Sequence, residues 1–379
     1  MDVHQTALLL GAYTGFVTLG IIRRSVRLTH QPLLDLLKLG AVAAVLSLLC
    51  CGPVAAVVVA VVAFCLYHSL PSPQLPAEGK AVFITGCDRG LGQLLAIHLD
   101  SRGVQVFAGC LFPGGEGEAT LKSKCSERLR TVPLDVSEPG KVKEAAEIVK
   151  KELQGKELWG VVNNAGMCYI GCLEVMAEQD VRRLVEVNFM GQVHVTRAFL
   201  PLLRHSHGRL VNVASNTGLA PVPFHMAYCA SKAAVACMSE SLRLELSLLD
   251  IKVSTIIPSG YRTGILQYDS TAAGDRWWTT ANKEIQDSYG RDSFYPENKT
   301  KDYRSILNPD FSGIVYKMTD ALLEKHPQAF YYKGLLARSL PFLYLHTPTC
   351  IADLFYPTFV TWYNFHPPCM KKQDGKKAQ

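Results

Sequence analysis

KAVFITGCDRGLG, from Lys80 to Gly92, decides the fold. Ala81–Thr85 is a continuous apolar run with the length of a fully buried strand. Gly86, Gly90 and Gly92 follow at once, and helical periodicity then carries the chain to about Arg102. Strand, glycine-rich turn and helix in that order make a phosphate-binding unit. Glycine lets the backbone approach a pyrophosphate, and the helix start offers free N–H groups and the positive end of its dipole. A glycine triplet alone is weak evidence, and a tight turn with incidental glycines is the competing reading; the strand before it and the helix after it give the triplet its weight.

Outward from the turn the alternation continues. Val104–Ala108, Leu129–Leu134, Arg209–Val213 and Lys252–Ile257 read as strands, and Trp159–Val162 leads to a strand end. Val142–Leu153, Gln179–Leu203 and Met226–Leu248 read as helices. Strands separated by helices imply βαβ units on a buried parallel sheet. Right-handed crossovers make this an α/β, doubly wound, parallel-sheet Rossmann domain, assigned to residues 80–334. The poorly patterned stretch 264–309 is expected to be the lid over a substrate. It holds Trp277, Trp278, Phe294 and Tyr295, which suit a flat apolar substrate or ordinary lid packing.

The rest of the chain has another character. Hydrophobic residues make up 48% of the 379, and the excess sits mostly in residues 1–70, read as membrane-spanning helices preceding the domain. Thr6–Ile22 is uncharged and followed by Arg23, Arg24 and Arg27. A signal peptide would want a basic start, and this one carries Asp2. Leu39–Leu70 is a second uncharged run, longer than the roughly 20 residues one span needs, and Gly52-Pro53 interrupts it. One tilted helix or a hairpin would satisfy it. Residues 71–79 form a proline-rich linker, and 335–379 an apolar segment with a basic tail. The segment Leu335–Tyr363 is expected on a membrane surface.

The net charge of +6 comes partly from arginines and lysines beside apolar spans, which face anionic lipid more often than nucleic acid. No basic stripe with interleaved aromatics occurs, so no nucleic-acid partner is expected. Twelve scattered cysteines without a CxxC pair give neither a disulfide framework nor a metal site. The ending Lys376-Lys377-Ala378-Gln379 matches a dilysine retrieval signal of endoplasmic reticulum membrane proteins, read from the cytosol. With Arg23, Arg24 and Arg27 on the cytosolic side, only a hairpin at Gly52-Pro53 leaves the domain cytosolic. Asn298-Lys299-Thr300, an N-glycosylation acceptor, would then stay bare.

Chemistry enters with Tyr228-Cys229-Ala230-Ser231-Lys232. Residues four apart share one helix face, so Lys232 lies beside the Tyr228 ring. A neighbouring ammonium favours phenolate and tunes the tyrosine for acid–base work nearer neutral pH. Taken alone, such a pair is more often a surface contact. Ser215 ends the strand RLVNVAS, thirteen residues before Tyr228, and Asn188 lies in the preceding long helix.

In this order the motifs resemble the short-chain dehydrogenase/reductase family, over about Lys80 to Thr263. The spacing of Gly86, Gly90 and Gly92 is the family's, as is Asn163-Asn164-Ala165-Gly166 closing the fourth strand. The resemblance implies hydride transfer between an alcohol and a nicotinamide cofactor. Tyr228 is then the acid–base, Lys232 its modulator and a ribose contact, Ser215 the holder of the substrate oxygen, and Asn188 the support of a proton-relay water. Ser215 and Tyr228 also bind substrate. The implied cofactor contacts are Gly86, Asp88, Arg89, Gly90, Leu91, Gly92, Asp135 (to adenine), Val136, Asn163, Ala165, Gly166, Tyr228, Lys232, Pro258 and Thr263. Dimers through the two long helices are implied too. TGCDRGLG, VFAGCL, LWGVVNNAG and FLPLLRHSHGRLVNVAS resemble the branch with hydroxysteroid, retinol and 3-hydroxybutyrate dehydrogenases, and the layout most resembles 17β-hydroxysteroid dehydrogenases of the endoplasmic reticulum membrane. The competing class is a catalytically silent membrane scaffold.

Two departures stand out. Ser259 replaces the glycine usual after the sixth strand, which puts the local backbone geometry in question. The end of the second strand, Ala108–Phe112, has neither the acid expected for NAD nor an arginine for NADP. Arg89 could meet a 2′-phosphate, yet the resemblance favours NAD, and NAD is the expectation, with NADP the alternative.

Overall fold

Apolar runs flanked by glycine and short polar turns become strands whose two faces are both buried. In the computed structural model β1 (Lys80–Thr85) sends Ala81 and Phe83 to one face and Val82 and Ile84 to the other, all fully buried. Such a strand belongs in the middle of a parallel sheet. The structure describes residues 73–262, 265, 270–295, 307–334, 336–355 and 367–369. The two N-terminal apolar segments, Thr263, the Asn298 acceptor and the dilysine ending lie outside them. No described helix is long and apolar enough to cross a membrane.

The remaining strands are β2 (Gln105–Cys110), β3 (Leu129–Pro133), β4 (Glu157–Asn163), β5 (Arg209–Val213), β6 (Lys252–Pro258) and β7 (Phe330–Lys333). They form one parallel sheet in the order β3-β2-β1-β4-β5-β6-β7. The chain winds outward from β1 to β3, then returns to β4 on the other side of β1. The crevice between β1 and β4 is therefore the point where ligands bind in open α/β sheets.

Helices cover both faces. On one face lie α1 (Gly90–Ser101) and α2 (Glu116–Lys124), joined by a C-terminal helix, Ser312–Leu323; Leu95, Leu99 and Met318 bury there against Val82 and Ile84. On the other lie α3 (Pro139–Glu152), a composite helix and α6 (Met226–Leu246). The composite is α4 (Glu178–Val185), a π-helical turn Glu186–Met190, and α5 (Gly191–Ser206). The expected continuous helix over 179–203 is thus interrupted at Asn188, and π-helical turns concentrate at functional sites.

Other differences have local causes. The unpatterned stretch 264–309 contains two α-helices among its described residues, α7 (Ser270–Thr280) and α8 (Lys283–Tyr289), the second started by Asn282, whose Oδ1 accepts the Ile285 N–H at 2.9 Å. The C-terminal helix is α9 (Ser312–Leu323), followed by β7, and then α10 (Ser339–His346) and α11 (Thr349–Ala352). The proline-rich linker does not run free to its end. Leu75 N–H donates to Leu323 O at 2.7 Å, and Arg102 donates to Gln74 at 2.8 Å.

The rings of Phe83 and Phe199 stack with centroids 4.2 Å apart, joining β1 to α5 inside the core. Phe199→Ala should lower the free energy of unfolding by about 3–5 kcal/mol through lost burial and a residual cavity. Urea unfolding followed by tryptophan fluorescence measures it.

Candidate active site

The glycine turn is shaped by what presses on it. Gly86 and Gly90 have φ of +70° and +66°, a left-handed conformation that glycine adopts without strain. A Cβ on Gly86 would stand 2.9 Å from Ala165 Cα, and one on Gly92 only 2.3 Å from the Gly86 carbonyl oxygen. Thr85 Oγ1 accepts the N–H groups of Asn164 at 3.0 Å and Ala165 at 2.9 Å. Asn164 Nδ2 donates back to the carbonyls of Thr85 at 2.9 Å and Gly86 at 3.2 Å. The loop after β4 is thereby locked on the turn after β1. The start of α1 keeps no side-chain cap and no acid in its first turn. Its N–H groups and positive end stay open to an anion, and the narrow backbone above them suits the pyrophosphate of a dinucleotide.

Of the asparagine pair Asn163-Asn164, Asn164 reaches the turn. Asn163 is buried on the opposite side of β4, where its Nδ2 donates to Thr196 Oγ1 at 3.0 Å and Asn212 Oδ1 at 2.9 Å. Strand alternation could have told them apart, because Val161 already faces α5 and Asn163 shares its parity. Asp135 Oδ1 accepts the N–H and hydroxyl of Ser137, which starts the turn toward α3. Val136 is buried against Gly191, where a Cβ would meet it at 2.7 Å. Arg89 is exposed at the start of α1, and Leu91 is buried beneath it.

The four catalytic candidates come from three elements. Lys232 on α6 is 2% exposed and its Nζ donates to Val213 O at 2.9 Å, at the end of β5. It lies 5.9 Å from the centre of the Tyr228 ring. Burial lowers its pKa to about 8. Asn188 is fully buried in the π-helical turn; its Oδ1 accepts Met167 N–H at 2.8 Å, and its Nδ2 donates to Met167 O at 2.9 Å and to Ser231 Oγ at 3.0 Å. Gly166 lies between the two, a Cβ there meeting Asn188 Oδ1 at 3.2 Å and Lys232 Nζ at 3.4 Å. Ser215 opens a short helical turn, Asn216–Gly218, with its Oγ accepting Thr217 N–H at 3.2 Å. Gly218 lets that turn rest on α6, since a Cβ would stand 2.6 Å from the Lys232 backbone. Ser231, inside the Tyr228–Lys232 motif, links the two, since its hydroxyl donates to Tyr228 O at 2.8 Å and accepts from Asn188 Nδ2 at 3.0 Å.

Pro258 ends β6 beside Lys333. Ser259 fits without its family glycine because its side chain packs into the space left by Gly334, whose φ is +115°. Trp277 and Phe294 are buried with Met167, Tyr169 and Met176. Trp277 Nε1 donates to Asp180 Oδ2 at 2.7 Å, and Arg276 pairs with the same carboxylate at 3.2 Å. Trp278 and Tyr295 are only partly buried. No group of three metal-ligating side chains occurs among the described residues.

The family model described as short chain dehydrogenase matches residues 80–273. Estradiol 17-beta-dehydrogenase 2 of Mus musculus is 39% identical over 330 residues, covering 82% of this chain and 84% of that protein. Retinol dehydrogenase 16 of Mus musculus is 39% identical over 283 residues, covering 73% and 87%. A crystal structure of a short-chain dehydrogenase from Streptomyces avermitilis shares the fold, with a TM-score of 0.56 and 22% identity over 74% of this chain and 97% of that one. With its sheet order, its glycine turn and its tyrosine–lysine helix, this chain belongs to the short chain dehydrogenase family.

Proposed function

We propose that this NAD(P)-dependent alcohol dehydrogenase oxidises a secondary alcohol on an apolar substrate, a 17β-hydroxysteroid, to the ketone, with NAD as cofactor and the endoplasmic reticulum membrane as its place of work. The observation that carries the reading is the buried Lys232 ammonium, held by the Val213 carbonyl beside the Tyr228 ring. When bound, the nicotinamide supplies the hydride acceptor. Tyr228 takes the alcohol proton, Lys232 stabilises the phenolate, and Ser215 donates to the substrate oxygen. Asn188, its Oδ1 and Nδ2 locked to Met167 and Ser231, holds the route for a proton-relay water.

The steroid assignment rests on likeness to the estradiol dehydrogenase and on an apolar lid. A small hydroxy acid needs a cationic anchor, and among the described residues of the lid Arg276, Lys283 and Arg291 are paired with Asp180, Asp287 and Asp275. Retinol remains the alternative. NAD is supported by the loop after β2, where Leu111-Phe112-Pro113-Gly114 carries no cation for a 2′-phosphate. Membrane residence is supported by Thr6–Ile22 and Leu39–Leu70, and by the exposed Phe342, Leu343, Leu345 and Leu354, which suit a lipid surface. The long helices α5 and α6 suit a homodimer, with Leu244 and Leu248 exposed on and just beyond α6.

Membranes carrying the full chain should oxidise estradiol and testosterone with NAD faster than retinol, cortisol or 3-hydroxybutyrate. A preference for retinol in that panel would replace the steroid assignment. Tyr228→Phe should keep NAD binding and lose at least about 10²-fold in turnover; activity above about a tenth of wild type would remove Tyr228 from the acid–base role.

The Lys232 pKa gives a pH test. A lysine lowered to about 8 is cationic below that value and loses its charge as the pH rises through it. Lys232→Met has no cation at any pH, so Tyr228 should return toward the ordinary phenol range near 10. Oxidation near neutral pH should then fall at least about 10²-fold and recover in part toward pH 10. A variant profile parallel to wild type would separate Lys232 from the acid–base step.

A further inference from the structure

The end of β2 is where an acid ordinarily distinguishes the two nicotinamide dinucleotides, and on β2 itself none is present. The structure brings one there from elsewhere. Leu111 N–H donates to Asp88 Oδ2 and Phe112 N–H to Asp88 Oδ1, each at 2.9 Å. Asp88 belongs to the glycine turn after β1. It cannot readily swing away, because Gln93 Nε2 donates to Asp88 O at 3.1 Å and to Gly117 O at 3.2 Å. On the far side Gly117 presses so closely that a Cβ would stand 2.1 Å from Asp88 O. Turn, α1 and the start of α2 together fix the backbone that carries the carboxylate, and the Leu111 and Phe112 N–H groups hold the carboxylate itself.

Two successive backbone N–H groups aimed at one point form an anion-binding concavity. Here its anion is part of the chain. A ribose 2′-hydroxyl can donate to a carboxylate that still has free lone pairs. A 2′-phosphate meets a like charge and two donors already occupied. Glu118, held by Gly114 N–H and Thr131 Oγ1 and paired with Lys122 at 2.6 Å, lies at the same strand end. Cys110, the last residue of β2, senses both carboxylates: burial first, then Asp88 and Glu118, push its thiol up to about 12. Arg89, exposed next to Asp88, is the opposing cation of the turn.

We propose that Asp88 selects the cofactor: supplied by the glycine turn instead of by β2, its carboxylate fills the concavity at Leu111 and Phe112, admits the 2′-hydroxyl of NAD and rejects the 2′-phosphate of NADP. The proposal rests on the reading of this cleft as the dinucleotide site. It also assigns Arg89 a latent role, an attraction for phosphate that Asp88 offsets.

The test is equilibrium binding, independent of turnover: titration calorimetry of NAD and of NADP on the detergent-solubilised full chain and on Asp88→Ser and Asp88→Asn. Wild type should bind NAD at least about tenfold more tightly than NADP, and Asp88→Ser should shift the ratio toward NADP by about tenfold or more. Asp88→Asn removes the charge and keeps one acceptor, so it should shift the ratio in the same direction. Adding Arg89→Ala to Asp88→Ser should take back part of the NADP gain. An unchanged ratio in both single variants overturns the proposal, as does parallel loss of both cofactors with a lowered melting temperature, which would make Asp88 a loop pin only. A wild type that prefers NADP overturns it too. A wild type that binds neither dinucleotide refutes the reading of the cleft itself.

Discussion

The contact on which the rest depends is the one between the ends of β1 and β4. Asn164 donates two hydrogen bonds to Thr85, from its N–H and from Nδ2, across the point where the sheet reverses its order. These bonds hold the glycine turn open toward the cleft and set where the loop after β4 begins. Gly166 and Met167 lie on that loop, and through them Asn188 and Lys232 are placed. A side chain on Gly86 or Gly92 would push the two strand ends apart before any ligand arrived. The glycines of this turn thus serve the fold and the ligand at once, because both need the same close backbone approach.

Beneath the site a chain of buried polar groups ties its carriers together. Asn163 on β4 bonds Thr196 on α5 and Asn212 on β5, Asn212 bonds Ser239 on α6, and Ser239 bonds the Val235 carbonyl. These four elements bear or lead directly to Asn188, Ser215, Tyr228 and Lys232. In a low-dielectric interior such bonds are strong when satisfied and costly when broken, so they favour one relative placement of the four. Lys232 shows what that rigidity permits. Its ammonium is stripped of water and given a carbonyl acceptor, which brings its titration toward neutrality while its distance to Tyr228 stays fixed.

Much of this was legible in the sequence, for identifiable reasons. Buried parallel strands read as unbroken apolar runs, so β1, β5 and β6 were found within a residue or two. The tyrosine–lysine pair was legible because helix geometry converts a spacing of four into contact. What escaped had little pattern to offer. Helix α2 buries only Leu121, and β7 is four residues long. Helix α7 mixes Trp277 and Trp278 with polar neighbours, and Asp180, the partner of Trp277, lies far away in the chain. The π-helical turn at Asn188 leaves no mark in the periodicity, because one added residue changes the register without changing composition.

Asp88 exposes a different limit. A rule that looks for an acid on the second strand indexes residues by the element that carries them, whereas a ligand meets only the charge at a place. At the carboxyl edge of a parallel sheet, the loops after neighbouring strands converge on the same volume. The register that sets Thr85 opposite Gly109 brings the turn after β1 alongside the end of β2. Either loop can then supply the charge. Leu111 and Phe112 contribute only backbone N–H groups, which any sequence there would carry, and the side chain that uses them stands 23 residues earlier than Leu111. Selectivity at such an edge belongs to the pair of loops, and reading it requires the register between strands as much as the residues along them.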